Sequence, residues 1–240
     1  MRIVSLVPSW TEYIVDLGCG DQLVGRTKFC VRAPGFESSS KIIGGTKSFH
    51  IDQVKQLEPD LIIACREENS KDQVEACLTF ASVLTTDVRC VHSALEALVQ
   101  VASAMDKPRE GEHWRRQIED AWGEPRSLHS RAAYAIWNQP RMLAGRDTYI
   151  HHVMQWWGFD NACPSGIAGR YPSLAKDEWE AMECDVVLLS SEPFPFEEKH
   201  LESYVTAQHS ARLVDGEAFS WYGSRMLHAA SYLAQFSSSQ

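Results

Sequence analysis

Ile51-Asp52-Gln53-Val54-Lys55-Gln56-Leu57-Glu58-Pro59-Asp60-Leu61-Ile62-Ile63-Ala64 reads as a short amphipathic helix, a turn and a buried strand. Lys176-Asp177-Glu178-Trp179-Glu180-Ala181-Met182-Glu183-Cys184-Asp185-Val186-Val187-Leu188-Leu189 reads the same way. At an offset of 125 residues, Asp185 stands where Asp60 does, at the strand entrance, and Glu192 matches Glu67 just past the strand. A unit used twice predicts two similar lobes, and two lobes enclose a cleft. Ligands of α/β proteins favour domain interfaces and the carboxyl ends of strands, so that cleft is where function is expected.

Working outward, Ile3 to Leu6 is a predicted strand, and Ser9 caps a helix that runs through Trp10, Tyr13, Ile14 and Leu17 to stop at Gly18. Val24-Gly25 and Ile42-Ile43 are short strands, Ser70 opens a helix, and Cys90-Val91 is a further strand. Two helices fill Ser93 to Trp122, the second starting at Lys107-Pro108 and bridging the lobes. Ala133 to Trp137, Val186 to Leu189 and Leu213-Val214 are strands of the second half, with helices at Tyr149 to Trp157 and Met226 to Phe236 and a frayed tail at Ser237-Ser238-Ser239. Strands separated by helices indicate parallel pairing. The expected fold is α/β: two similar lobes with parallel sheets flanked by helices, joined by a rigid bridging helix. The lobes span residues 1–105 and 127–240 and the bridge 106–126.

A content of 44% hydrophobic residues suffices for a core, and a net charge of −9 without any lysine or arginine run excludes non-specific nucleic-acid binding. No apolar stretch approaches the ~20 residues that span a bilayer. Seven cysteines at 19, 30, 65, 77, 90, 163 and 184 form no Cys-x-x-Cys pair, so neither a zinc site nor a disulfide framework is signalled. Unpaired thiols and an opening that runs directly into a core strand predict a cytoplasmic protein; a periplasmic one is the alternative if a signal peptide has been trimmed.

The loops that follow the strands interleave rings with charges. In the first half they contain Trp10, Phe29, Lys47, Phe49, Arg66 and Glu67. In the second they contain Trp137, Arg146, Tyr149, Glu192, Trp221, Tyr222 and Arg225. Rings supply stacking area at low entropy and fixed charges set orientation, which suits a large, flat, partly charged ligand. The competing explanation for any one ring is that it caps the end of a core. Glu67 and Glu192 would face one cleft if the lobes are pseudo-symmetric, there to bind a cation, act in acid–base chemistry or pair with Arg146 or Arg225; capping a local helix is the alternative. Gly44-Gly45-Thr46 lacks the ending of a phosphate loop and is a turn. His151 and His152, adjacent on a helix, do not face one site together. Cys30, near Arg32, is a candidate activated thiol or soft metal ligand.

Ile3-Val4-Ser5-Leu6-Val7-Pro8-Ser9-x-Thr11-Glu12, the stretch from Ile51 to Ala64, Gly145-x-x-x-Tyr149-Ile150 and Phe219-x-Trp221-Tyr222 together resemble the helical-backbone (class III) solute-binding proteins of vitamin B12 and iron-siderophore ABC importers. The resemblance covers nearly the whole chain and is nearest to the B12 branch. It implies a binding protein without cofactor of its own or covalent chemistry, a cobalamin-like or other metal-chelate ligand such as an iron chelate, and an ABC-transporter permease as partner. It makes Trp221 and Tyr222 ring contacts, joined by the loops at Lys47–Phe49 and Arg66. The family docks one glutamate of each lobe on transporter arginines; here Lys71 takes the first position, and no carboxylate stands in the second, Trp221 to Arg225. The loops Ser190-Ser191-Glu192-Pro193-Phe194-Pro195-Phe196 and Asp215-Gly216-Glu217 resemble those of a leaderless subgroup of these relatives. Other readings of the same cleft are a cytoplasmic enzyme using Glu67, Glu192, Cys30 and Arg225, or a sensor or carrier that hands on a metal cofactor.

Overall fold

The computed structural model describes residues 1–32, 40–166, 169–206 and 209–238. The chain divides into two compact units. The first comprises Met1–Val88, His92–Asp120 and a short late segment, Tyr222–Leu227; the second comprises Arg89–Val91, Ala121–Trp221 and His228–Gln240.

In the first unit β1 (Ile3–Ser5), β2 (Leu23–Arg26), β3 (Lys41–Ile42), β4 (Leu61–Cys65) and β5 (Ser82–Thr86) form one sheet in the order β3-β2-β1-β4-β5, every pair parallel. Parallel strands need crossovers, supplied by α1 (Pro8–Asp16), α2 (Ile51–Gln56) and α3 (Lys71–Cys77); α4 (Val91–Ala104) and α5 (Pro108–Trp122) follow. Because both faces of such a sheet are covered, β1 and β4 are apolar and buried at almost every position. Gly111 of α5 lies so close to Ala102 of α4 that a Cβ there would sit 2.6 Å from the alanine methyl, so only glycine allows this approach.

In the second unit β6 (Ser130–Trp137), β7 (Met142–Leu143), β8 (Phe159–Asn161), β9 (Val186–Ser190) and β10 (Ser210–Val214) build a sheet in the order β10-β9-β6-β7, with β8 also on β6. Only β7 is antiparallel. The helices are α6 (Tyr149–Trp156), α7 (Lys176–Glu180), α8 (Glu198–Leu201), α9 (Gly216–Ser220) and α10 (Arg225–Ser238).

The repeated stretch recurs in three dimensions. Before β1 and β4 pair, Arg2 N–H donates to Asp60 Oδ2 at 2.7 Å and Asp60 N–H donates to the Arg2 carbonyl at 2.8 Å. Before β6 and β9 pair, Arg131 N–H donates to Asp185 Oδ2 at 2.7 Å and Asp185 N–H to the Arg131 carbonyl at 2.8 Å. Each aspartate therefore closes the amino end of a parallel pair, where a backbone donor would otherwise lack a ladder partner.

Several local expectations change. Ser9 does not cap α1: Val7 occupies the cap position without a side-chain bond, and Pro8, whose missing N–H is no loss in a first turn, starts the helix. Cys90-Val91 is not a strand, since Val91 opens α4; the strand is Ser82–Thr86, an edge strand whose half-exposed residues obscure its pattern. The short strands β7 and β8 are too brief to show a period. Ser237 is not frayed: it is buried in α10 and donates from Oγ to the Trp157 carbonyl at 2.6 Å, while Ser239 lies outside the described residues.

The paired aspartates predict paired costs. Asp60→Ala and Asp185→Ala should each lower stability by about 1 kcal/mol in urea unfolding, and the Asn variants, which keep an acceptor, by less. Alanine variants with unshifted unfolding midpoints would show that the clamps contribute nothing.

Candidate functional site

In the first unit the turn after β2 is pinned from beneath. Thr11 Oγ1 and Thr27 Oγ1 lie 3.0 and 3.2 Å from Cys30 Sγ, and buried Arg26 donates to Ser40 Oγ at 3.0 Å and to the Cys30 carbonyl at 3.1 Å. Phe29 is left standing at the surface, 50% exposed, with Lys28 Nζ 5.1 Å from its ring centre. The turn after β3 packs beside it: Lys28 N–H donates to the Gly44 carbonyl, and Gly45 N–H bonds the Ser48 carbonyl, which puts exposed Lys47 inside the tight turn. Gly44 has φ of +122°, and a Cβ there would meet the Ser48 carbonyl oxygen at 2.7 Å, so the expected turn requires glycine at this position. Asn69 holds the turn by donating to the Thr46 carbonyl at 2.9 Å and the Leu6 carbonyl at 3.1 Å while accepting from Cys65 N–H. Gln73 donates to the Phe49 carbonyl at 2.8 Å and accepts from its N–H.

Other expected contacts of this unit lie elsewhere. Trp10 and Phe49 are buried; the Trp10 indole donates to Thr86 Oγ1 at 2.9 Å and packs 4.8 Å from the Tyr222 ring. Tyr222, also buried, donates to Glu68 Oε1 at 2.6 Å, and burial pushes its phenol well above the ordinary value. These rings present no stacking face to a ligand in this conformation. Arg225 has an ion-pair partner within its own unit. Its guanidinium forks onto Glu12, a carboxylate on the buried side of α1, at 3.0 and 2.5 Å. Arg66 is exposed and pairs with Asp87 at 3.2 Å, and Glu67 is half-buried.

In the second unit Trp137, the last residue of β6, is 39% exposed. Its indole donates to the Gln139 carbonyl at 3.1 Å, and Phe194 meets its ring edge-on at 5.6 Å. Phe194 is backed in turn by Phe196 and His200, at 4.7 and 5.3 Å. Tyr204 donates to Asn138 Oδ1 at 2.9 Å and so fixes the residue beside Trp137. Glu192 accepts from Ser220 Oγ at 2.6 Å and from the Trp221 indole at 2.8 Å; burial still raises its pKa against the lowering effect of those bonds. Trp221 is thus half-buried against Glu192. Arg146 spends its donors on the Asn161 and Cys163 carbonyls, 2.6 and 3.4 Å away, with Asp160 at 3.8 Å. It lines a depression of about 400 Å³ with Asp147, Cys163, Pro164 and Arg170. Tyr149 is buried.

The structure therefore leaves Phe29 and Lys47 together on the first unit and Trp137 beside Phe194 on the second. Sequence reasoning passed over Phe194 and Lys28 as contacts, and Asn69, Gln73 and Tyr204 as supports. The signal for Phe194 was its setting between Pro193 and Pro195, which favours an extended, presented ring.

The fold and these ring-bearing loops define a solute-binding protein. The sequence profile of the periplasmic binding protein family matches residues 3–210, and the chain belongs to that family. The vitamin B12-binding protein of Pectobacterium carotovorum subsp. carotovorum (strain PC1) is 20% identical over 200 residues, 80% of this chain and 72% of that one. Among solved structures, a periplasmic haem-binding protein from Pseudomonas aeruginosa superposes with a TM-score of 0.80 at 16% identity, covering 98% of this chain and 91% of the other. The periplasmic vitamin B12-binding protein of Vibrio cholerae gives 0.77 at 15% identity, covering 99% and 96%.

This membership overturns the cytoplasmic placement. Its premise, that unpaired thiols need a reducing compartment, fails because six of the seven cysteines are buried and burial raises the pKa of each of those thiols, to about 11 for Cys77 and Cys184. A thiol kept protonated and out of reach reacts slowly whatever surrounds the protein. Among the described residues no helix is long and apolar enough to cross a membrane.

Two measurements follow. An aromatic disulfide reagent should titrate at most one thiol rapidly in the native protein, Cys90, and all seven in denaturant; several fast native thiols would contradict the burial. His151 is 6% exposed with Nδ1 unpartnered, and burial, then His152 and Arg146, lower its pKa to about 4, Asp160 opposing. The folded ring is neutral while the unfolded one titrates near 6.5, so its stability contribution is complete above that pH and is lost as pH falls toward 4. By pH 5 the loss should reach about 1–2 kcal/mol, and His151→Gln should narrow the difference in Tm between pH 7.5 and 5. An unchanged difference would exclude His151 as the cause.

Proposed function

We propose that this chain is the substrate-binding component of an ABC importer and that its cargo is a flat metal chelate of the corrinoid or haem kind. The observation that carries this reading is Trp137: a large ring left exposed at the carboxyl end of a central parallel strand and braced edge-on by Phe194. Burying such a ring under a ligand costs little entropy, because its neighbours already hold it. The vitamin B12-binding and haem-binding relatives support the class of cargo. Phe29 and Lys47 on the first unit, and Trp137, Glu192 and Trp221 on the second, are the proposed contacts, with helix α5 joining the two units in the chain.

Binding without covalent chemistry is part of the proposal. Cys30 is buried with a raised thiol pKa, Arg225 is bound to Glu12, and Glu192 is held by Ser220 and Trp221, so the groups an enzyme would draw on are engaged in structure. The proposed protein partner is a permease. The α3 surface it would meet carries Lys71 paired with Glu75 at 3.6 Å, so its docking would use other charges than a glutamate at that place.

Titration with cyanocobalamin and with hemin, followed through the eight tryptophans, should give saturable quenching with at least one of them. Trp137→Ala should weaken that binding about 30-fold, the equivalent of about 2 kcal/mol for a central aromatic contact. Unquenched emission with both at tens of micromolar would refute the assignment.

A further inference from the structure

Residues 26–50 carry Arg26, Lys28, Arg32, Lys41 and Lys47 against a single acidic residue, Glu37, in a chain whose net charge is −9. Parallel pairing of β2 with β3 brings the turns that follow these strands to the same edge of the sheet. Lys28 and Lys47 are exposed, and neither meets a carboxylate among the described residues. Most exposed lysines are mobile and say little, but the backbone that bears these two is fixed. A Cβ on Gly45 would lie 3.5 Å from the Phe29 ring and 3.8 Å from the Lys28 stem, so the two turns are in van der Waals contact. Asn69 anchors the carbonyl of Thr46 on one side of Lys47, and Gln73 anchors Phe49 on the other. The result is an exposed ring with the Lys28 ammonium 5.1 Å from its centre and exposed Lys47 on the neighbouring turn, both borne on hydrogen-bonded backbone.

A ring face selects a flat apolar partner, and ammonium groups that meet no carboxylate among the described residues select anions beside it. The geometry points to a cargo whose rim carries carboxylates: Lys28 and Lys47 read acid side chains on a tetrapyrrole-type chelate, so the chain discriminates against chelates whose rim is esterified or amidated. This rests on the chelate reading above and narrows it.

Hemin and its dimethyl ester share ring and metal and differ only in two rim charges. At low salt the acid should bind about tenfold more tightly than the ester, and the preference should shrink at about 0.5 M salt, where the screening length falls to a few ångströms. In the Lys28→Gln/Lys47→Gln variant the acid should bind no better than the ester; Lys71→Gln, a lysine on α3, should keep the full preference. Equal binding of acid and ester by the wild type, a preference that survives in the double variant, or binding of cyanocobalamin alone overturns this inference and leaves the chelate reading standing. Binding of none of the three overturns both.

Discussion

A sheet whose strands all run one way releases every following loop at one edge, and that constraint organises this protein. In the first unit the turns after β2 and β3 have nowhere to go but the same rim, which is how Phe29, Lys28 and Lys47, separated by nearly twenty residues of sequence, share one patch. In the second unit the same geometry sends the chain after β6 and β9 to a common rim, where Trp137 and Phe194 meet. Helices cover the faces of such sheets, so the exposed rings are left to the edge.

What separates an exposed ring from a core ring is the company it keeps. Trp10 and Trp137 both lie next to strand ends and look alike as letters. Trp10 points into a helix–sheet seam with Thr86 as a donor's partner, whereas Trp137 has a neighbour on one edge and water on its face. The buried rings need polar partners for their heads, and Trp10 and Tyr222 have them. The polar clamps at Asn69 and Gln73 do the corresponding work for backbone, satisfying groups in turns that no ladder reaches.

The architecture was readable because it is periodic and repeated: apolar runs of five residues at β4 and β9 are hard to mistake, and Asp60 and Asp185 mark the same place in both units because they do the same work. The site was readable only as a set of loops. Whether Tyr149 or Phe49 faces water depends on packing that involves distant residues, and the partner of Arg225 lies 213 positions away on α1, beyond any local pattern. Short edge elements escaped for a related reason: two or three residues of β7 or β8 contain no full period.

The fork between Arg225 and Glu12 has a consequence for how the molecule comes into being. Glu12 sits on a buried helix face, and the Arg225 guanidinium that forks onto it comes from residues near the far end of the chain. Residues 222–227 belong to the first unit although they are made almost last. The amino-terminal half therefore cannot reach its finished state as it leaves the ribosome; it must wait until the far end of the polypeptide arrives to complete it.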